Sequence, residues 1–124
     1  MVVIKDIATG RTYKIDKNML SIGSGQDNDV QAPTPGYLQF VRTSGFDSKF
    51  LGIDGVSERH AELMIVGGDI FLRDSDSRTG TFISRYDMRR WFSKRERIGT
   101  HCAYLREGDV FTVGKYPLQL VSKS

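Results

Sequence analysis

The sequence predicts an all-β fold, a β-sandwich of mostly antiparallel strands with short helical or irregular insertions. Short runs in which apolar and polar residues alternate recur along the chain, which is the periodicity of half-buried strands. Glycines and other turn formers separate these runs at short intervals, as they do in sandwiches. Because the chain has 124 residues, 39% of them hydrophobic, we expect one globular domain over residues 1–124 that buries a core without disulfides or metals.

The first three strands are predicted near the N-terminus. Residues 2–7 and 11–15 flank a turn at residues 8–10 that ends in glycine, which tolerates the positive φ of a hairpin turn. Residues 19–23 form a third apolar run, and it also ends at a glycine.

Two further strand pairs are predicted in the middle and at the end of the chain. Residues 61–66 alternate between two unlike faces, and two glycines then fit a tight turn into a second run over residues 69–74. Residues 110–114 and 117–121 form the closing pair.

Two segments interrupt this pattern and are interpreted as insertions, at about 31–55 and 84–101. Residues 31–55 are rich in turn formers and aromatics without clean periodicity, and this length indicates structure of its own or a binding role. Residues 84–97 predict one short helix, because three apolar side chains from Met88 to Phe92 recur at the spacing of a helix face.

The positive charge of the chain is concentrated in one segment. Of the net charge of +3, residues 85–97 contribute +4 through six basic and two acidic side chains, which leaves −1 for the remainder. Aromatic residues interleave with the basic ones there, so nucleic-acid contact through 85–97 is one alternative to a solvated basic surface.

Features of the sequence also predict where the protein is located. Cys102 is the only cysteine, so no internal disulfide can form and a reducing compartment is expected. The N-terminal residues lack the basic region and apolar stretch of a signal peptide, and no apolar run is long enough to span a bilayer. We therefore expect a cytoplasmic protein.

The most informative motifs flank the hairpin predicted over residues 61–74. The segment 57–60, Ser-Glu-Arg-His, precedes it, and the polar segment 75–82, Ser-Asp-Ser-Arg-Thr-Gly-Thr-Phe, follows it. A Ser-x-x-His before a hairpin and a Ser-x-x-Gly-Thr loop after it resemble the core of the forkhead-associated (FHA) domain family, whose members read phosphothreonine in partner proteins. The resemblance implies an FHA-like sandwich and a module that binds a phosphothreonine-containing protein.

The resemblance assigns five residues to phosphopeptide binding. Ser57 matches the serine whose hydroxyl and amide hold the phosphate, and Arg78 occupies a position that contacts phosphate in relatives. Ser24 stands where the family has a phosphate-pairing arginine, and its hydroxyl offers one neutral bond in place of two charge-assisted ones. Thr79 replaces the asparagine that holds the peptide backbone, and Arg59 is a further basic candidate.

Other matching residues are expected to be structural. By the same resemblance, Gly23, His60 and Gly80 orient the ligand loops without touching phosphate. Ser57 and His60 together suggest a hydrolytic pair, but the sequence offers no third orienting group and no oxyanion site. We therefore predict no enzyme activity, no catalytic residue, no metal site and no cofactor.

Two functions are compatible with these motifs. The first is a phosphothreonine-reading interaction module. The second is a degenerate FHA-like scaffold that binds a protein partner independently of phosphate, because Ser24, Glu58 and Thr79 all depart from the family pattern. Of these, Glu58 places a carboxylate beside the expected phosphate, which it would repel.

Overall fold

A computed structural model describes residues 2–33, 56–87 and 92–122 of the chain. Every regular element within these ranges is a strand, and there are eleven. In chain order they are β1 (Val2–Asp6), β2 (Thr12–Lys14), β3 (Met19–Gly23), β4 (Val30–Gln31), β5 (Ala61–Val66), β6 (Asp69–Asp74), β7 (Thr81–Asp87), β8 (Phe92–Ile98), β9 (Ala103–Leu105), β10 (Val110–Val113) and β11 (Tyr116–Ser122).

The strands form two sheets. One sheet has six strands in the order β2-β1-β11-β10-β7-β8, and all its neighbours are antiparallel. The other has five strands in the order β4-β3-β5-β6-β9. Its neighbours are antiparallel except β3 and β4, which pair in parallel. The predicted β-sandwich of mostly antiparallel strands is therefore confirmed.

The hydrophobic core contains side chains from both sheets. Ile4, Phe111 and Leu118 come from the six-stranded sheet, Leu63 and Leu72 come from the five-stranded sheet, and all five are fully buried. Along β10 and β11 every second residue is buried, as the two-residue period of a strand requires. Each such side chain contributes about 1.5–3 kcal/mol by leaving water.

The registers of the five-stranded sheet bring three loops to one of its ends. Ile22 near the end of β3 pairs with Ala61 at the start of β5, and Ala61 pairs with Asp74 at the end of β6. The loops that adjoin these residues are consequently neighbours in space. We call them the β3–β4 loop (24–29), the Ser57 turn (57–60) and the β6–β7 loop (75–80).

Most strand predictions are confirmed, and the helix prediction is wrong. The runs predicted over 19–23, 61–66 and 69–74 are strands with those bounds, and the N-terminal hairpin and closing pair are also present. Residues 84–87 and 92–97, however, lie in β7 and β8 and pair with each other. The apolar spacing that favoured a helix is a weak local preference, and cross-strand pairing overrides it. Of the segment 31–55, residues 34–55 lie outside the described residues.

Candidate functional site

His60 connects the Ser57 turn to the β6–β7 loop. The backbone amide of Ser57 donates to Nδ1 of His60 at 3.0 Å, so this ring nitrogen is an acceptor and carries no proton. The other nitrogen, Nε2, therefore carries the proton and donates to the carbonyl oxygen of Gly80 at 2.7 Å. His60 is fully buried, and this neutral tautomer satisfies both of its ring nitrogens.

The environment of His60 favours the neutral ring. Burial lowers the pKa of the imidazole below its ordinary value, and it outweighs the Gly80 carbonyl and the Asp74 carboxylate, both of which favour the charged form. Because Nδ1 already accepts the Ser57 amide, protonating it would place two donors against each other. The predicted role of His60 as an orienting residue agrees with this geometry.

The hydroxyl of Ser57 faces the β6–β7 loop. Its oxygen accepts a hydrogen bond from the amide of Arg78 at 3.3 Å, so its own hydrogen remains available to an acceptor. The amide of Ser57 is occupied by His60, which leaves the hydroxyl as the donor that this residue can offer a phosphate. The structure thus brings Ser57 and Arg78 together, although 21 positions separate them in the chain.

Asp74 holds the β6–β7 loop in shape. One carboxylate oxygen accepts from the Ser77 hydroxyl at 2.5 Å and from the Thr81 hydroxyl at 2.7 Å, and the other accepts from the Ser77 amide at 3.0 Å. Burial alone would raise the pKa of Asp74, but these hydrogen bonds outweigh it and hold the pKa below its usual value. The Ser77 hydroxyl also accepts the Gly80 amide at 3.0 Å, which tightens the loop further.

The β3–β4 loop is attached to the Ser57 turn by its backbone. The amide of Ser24 donates to the carbonyl of Ser57 at 3.0 Å, and the amide of Gly25 donates to that of Glu58 at 3.2 Å. The side chain of Asn28 also donates to the Glu58 carbonyl, at 2.6 Å. These contacts place Ser24 next to Ser57, as its assignment to the binding site requires.

Gly23 is required by the closeness of these two segments. A Cβ atom at this position would lie 2.1 Å from the carbonyl oxygen of Glu58 and 2.9 Å from that of Ser57. Backbone cannot yield as the tip of a flexible side chain would, so any other residue separates the loops. The structural role of Gly23 stays a prediction, and this close approach is the observation that supports it.

The charged side chains around the three loops differ in their partners. Arg59 forms an ion pair with Asp27 at 3.3 Å, and the two side chains are 66% and 73% exposed, so solvent weakens the pair. Arg78, Thr79 and Glu58 are also exposed at this end of the sheet. Within the described residues, no salt bridge forms to Arg78.

Sequence reasoning missed two contributors to this site. The sequence pattern assigns Asp74 no role of its own, yet Asp74 organises the β6–β7 loop; the four hydroxyl residues within seven positions of it are a signal for such a role. Arg97 of β8 was counted only as part of a basic segment. Its guanidinium lies against Gly80, so that a Cβ added there would be 2.8 Å from Nε of Arg97. Cross-strand pairing of β7 with β8 produces this contact, and nothing in the local sequence indicates it.

The described ranges contain no group of His, Cys, Asp or Glu side chains arranged to hold a metal ion. In the same part of the chain, no helix is long and apolar enough to cross a membrane.

The sandwich and its three joined loops define a class of interaction domain, and a sequence comparison identifies the family. The family model of the FHA domain matches residues 20–114, a range that runs from the second residue of β3 through β10 and includes all three loops. The chain belongs to the FHA domain family. No curated protein matches it.

Solved structures, FHA domains among them, share the fold. EmbR from Mycobacterium tuberculosis, in complex with a low affinity phosphopeptide, is 21% identical with a TM-score of 0.66; the match covers 97% of this chain and 24% of that one. The FHA domain of CT664 from Chlamydia trachomatis is 17% identical with a TM-score of 0.66, and the match covers 99% and 98% of the two chains. The FHA domain of human APLF, in complex with an XRCC1 bisphospho peptide, is 19% identical with a TM-score of 0.65 and coverage of 98% of each chain.

Proposed function

We propose that this chain is a protein–protein interaction module that binds phosphothreonine-containing segments of a partner at the three joined loops. The observation that carries the proposal is the contact between the Ser57 hydroxyl and the Arg78 amide, 3.3 Å apart. It places a hydroxyl donor and an exposed guanidinium on adjoining loops, and the buried His60 holds those loops together. A phosphate needs both donors and positive charge, because it carries nearly two negative charges at neutral pH.

Arg78 supplies the positive charge in this proposal. Ser24 occupies the position of the family arginine and lies beside Ser57, where it offers only a neutral hydroxyl. The guanidinium of Arg78 forms no salt bridge with any described residue, so it is available to phosphate oxygens. Arg59 is a second source of charge, since its solvent-exposed pair with Asp27 is weak enough to open.

The fold relatives support this function. EmbR and the FHA domain of human APLF were each solved with a phosphopeptide bound. By extension, we propose a non-enzymatic signalling role in the cytoplasm for a single domain over residues 1–124. Thr79 is proposed to contact the peptide backbone.

Two observations favour the alternative function, a scaffold that binds its partner without phosphate. Ser24 carries no charge, and the Ser57 amide is already used by His60. Contact with nucleic acid through residues 85–97 is still only a prediction from the sequence.

A paired peptide screen tests the proposal. A library of phosphothreonine peptides and the matched unphosphorylated library are presented to the wild-type protein, together with a random oligonucleotide. We expect phosphothreonine peptides to be retained selectively. Equal retention of both libraries would support the phosphate-independent scaffold, and salt-sensitive retention of the oligonucleotide alone would support nucleic-acid binding.

A further inference from the structure

Arg97 places a second cation beside the β6–β7 loop. It pairs with Phe82 in the register of β7 and β8, and its side chain extends back toward Gly80. A Cβ atom on Gly80 would lie 2.8 Å from Nε, 3.1 Å from Cζ and 3.3 Å from Nη2 of Arg97. The guanidinium therefore packs on the glycine backbone, in space that any side chain at position 80 would occupy.

The charge of Arg97 is not compensated within the described part of the chain. The side chain is exposed, and no carboxylate there forms a salt bridge with it. Arg95, two residues away on the same strand, differs in this respect. It stacks over the ring of Phe82 at 3.9 Å and donates to the carbonyl of Gly114 at 3.2 Å. The guanidinium of Arg95 thus contacts other residues of the sandwich, whereas the guanidinium donors of Arg97 face solvent.

Arg97 lies within reach of a peptide that is bound at Ser57. The Arg78 amide contacts the Ser57 hydroxyl, and the two residues from Arg78 to Gly80 span at most about 7 Å. The guanidinium of Arg97 is consequently at most about 15 Å from that hydroxyl. An extended peptide covers this distance in about four residues at about 3.3 Å per residue.

We propose that Arg97 binds an acidic side chain of the partner, an aspartate or glutamate within about four residues of the phosphothreonine. The planar guanidinium matches a carboxylate with two parallel hydrogen bonds, which gives the contact its direction as well as its charge. The inference rests on the proposed function, and it adds a preference: phosphothreonine segments with a correctly placed acid bind more tightly than neutral ones.

An aspartate scan tests the inference. One aspartate is moved through a neutral phosphothreonine peptide, from about four residues before the phosphothreonine to about four after it, and the Kd of each peptide is measured at low salt. We expect one position, or two adjacent ones, to bind about five-fold more tightly than the neutral peptide, the upper range for an exposed ion pair. In Arg97→Gln this ratio should fall to about one, and in Arg97→Glu lysine should replace aspartate as the preferred residue.

Arg106→Gln is the matched control. Arg106 is exposed and follows Leu105, which pairs with Ile70 at the end of the sheet away from the three loops. The substitution removes the same charge, and the aspartate preference should persist. A preference that survives Arg97→Gln, or no preference in the wild type, would overturn the inference and leave the proposed function intact. Failure of every phosphothreonine peptide to bind would overturn both.

Discussion

The imidazole of His60 and the carbonyl of Gly80 form a buried hydrogen bond of 2.7 Å between residues that are 20 positions apart. The same carbonyl accepts the amide of Gly114 at 2.9 Å, so one oxygen joins the start of β7 to the turn between β10 and β11. Through Nδ1, the ring also fixes the amide of Ser57. One side chain thus positions both loops that carry the candidate phosphate contacts.

The first prediction concerns the stability that His60 provides. In His60→Ala, the Ser57 amide and one acceptor site of the Gly80 carbonyl lose their buried partner, so we expect a loss of about 1–3 kcal/mol in the free energy of unfolding. Urea denaturation followed by fluorescence measures the change. His101→Ala is the matched control, because His101 is exposed. This variant should have the same free energy of unfolding as the wild type. Equal stability of the His60 and His101 variants would contradict the role given to His60.

The second prediction concerns pH. Burial lowers the pKa of folded His60, so between that pKa and the ordinary value of about 6.5 the unfolded chain binds more protons than the folded one. Stability therefore rises with pH across this interval: the contribution of His60 is complete above about pH 6.5 and is lost as the pH falls toward the folded pKa. We expect unfolding free energies to fall between pH 7 and pH 5, by up to about 1.4 kcal/mol per pH unit.

Substitution of His60 isolates this pH effect. Asp74, which lies next to the ring, has a lowered pKa and stays ionised over the same interval, so it does not contribute to the slope. His60→Gln should flatten the pH dependence above pH 5. A slope that is the same in the variant and the wild type would show that another group is responsible.

The third prediction concerns the contact between Gly23 and Glu58. A methyl group at Gly23 would lie 2.1 Å from the Glu58 carbonyl oxygen, so Gly23→Ala must separate the β3–β4 loop from the Ser57 turn. We expect a loss of about 1–3 kcal/mol in stability, the usual range for overpacking. Gly99→Ala provides the control, since a Cβ there meets nothing within 4 Å. In thermal unfolding, Gly23→Ala should have a lower Tm than the wild type, and Gly99→Ala should not.

Most strands and the ligand loops could be predicted from local features of the sequence. The strand pairing of residues 84–97 and the contact that depends on it could not. The alternation over 61–66 and the glycines after it define a hairpin, and the motifs on either side of it mark the loops that meet at Ser57 and Arg78. In residues 84–97, a helix-like spacing competes with strand pairing, and only the partner strand decides the outcome. The approach of Arg97 to Gly80 depends on that pairing and could not be predicted before it was known.

The fourth prediction concerns position 24. Ser24 lies beside Ser57, so Ser24→Arg should add the bidentate phosphate contact that a serine lacks. A charge-assisted contact of this kind contributes about 1.5–3 kcal/mol, which corresponds to a gain of about one to two decades in affinity for a phosphothreonine peptide. Titration of the same peptide without its phosphate shows whether the gain depends on phosphate. If neither the wild type nor Ser24→Arg responds to phosphate, the site does not bind it.

The most direct measurement is the affinity of the wild type, Arg78→Ala and Ser57→Ala for one phosphothreonine peptide and its unphosphorylated form. The central claim is that the Ser57 hydroxyl and the Arg78 guanidinium hold the phosphate. We therefore expect modest binding of the phosphorylated peptide by the wild type and a loss of about one to two decades in each variant. Arg106→Ala, at the other end of the sheet, should bind like the wild type. Equal affinity of the wild type for both peptides, or unchanged phosphate-dependent binding in both Arg78→Ala and Ser57→Ala, would contradict the claim.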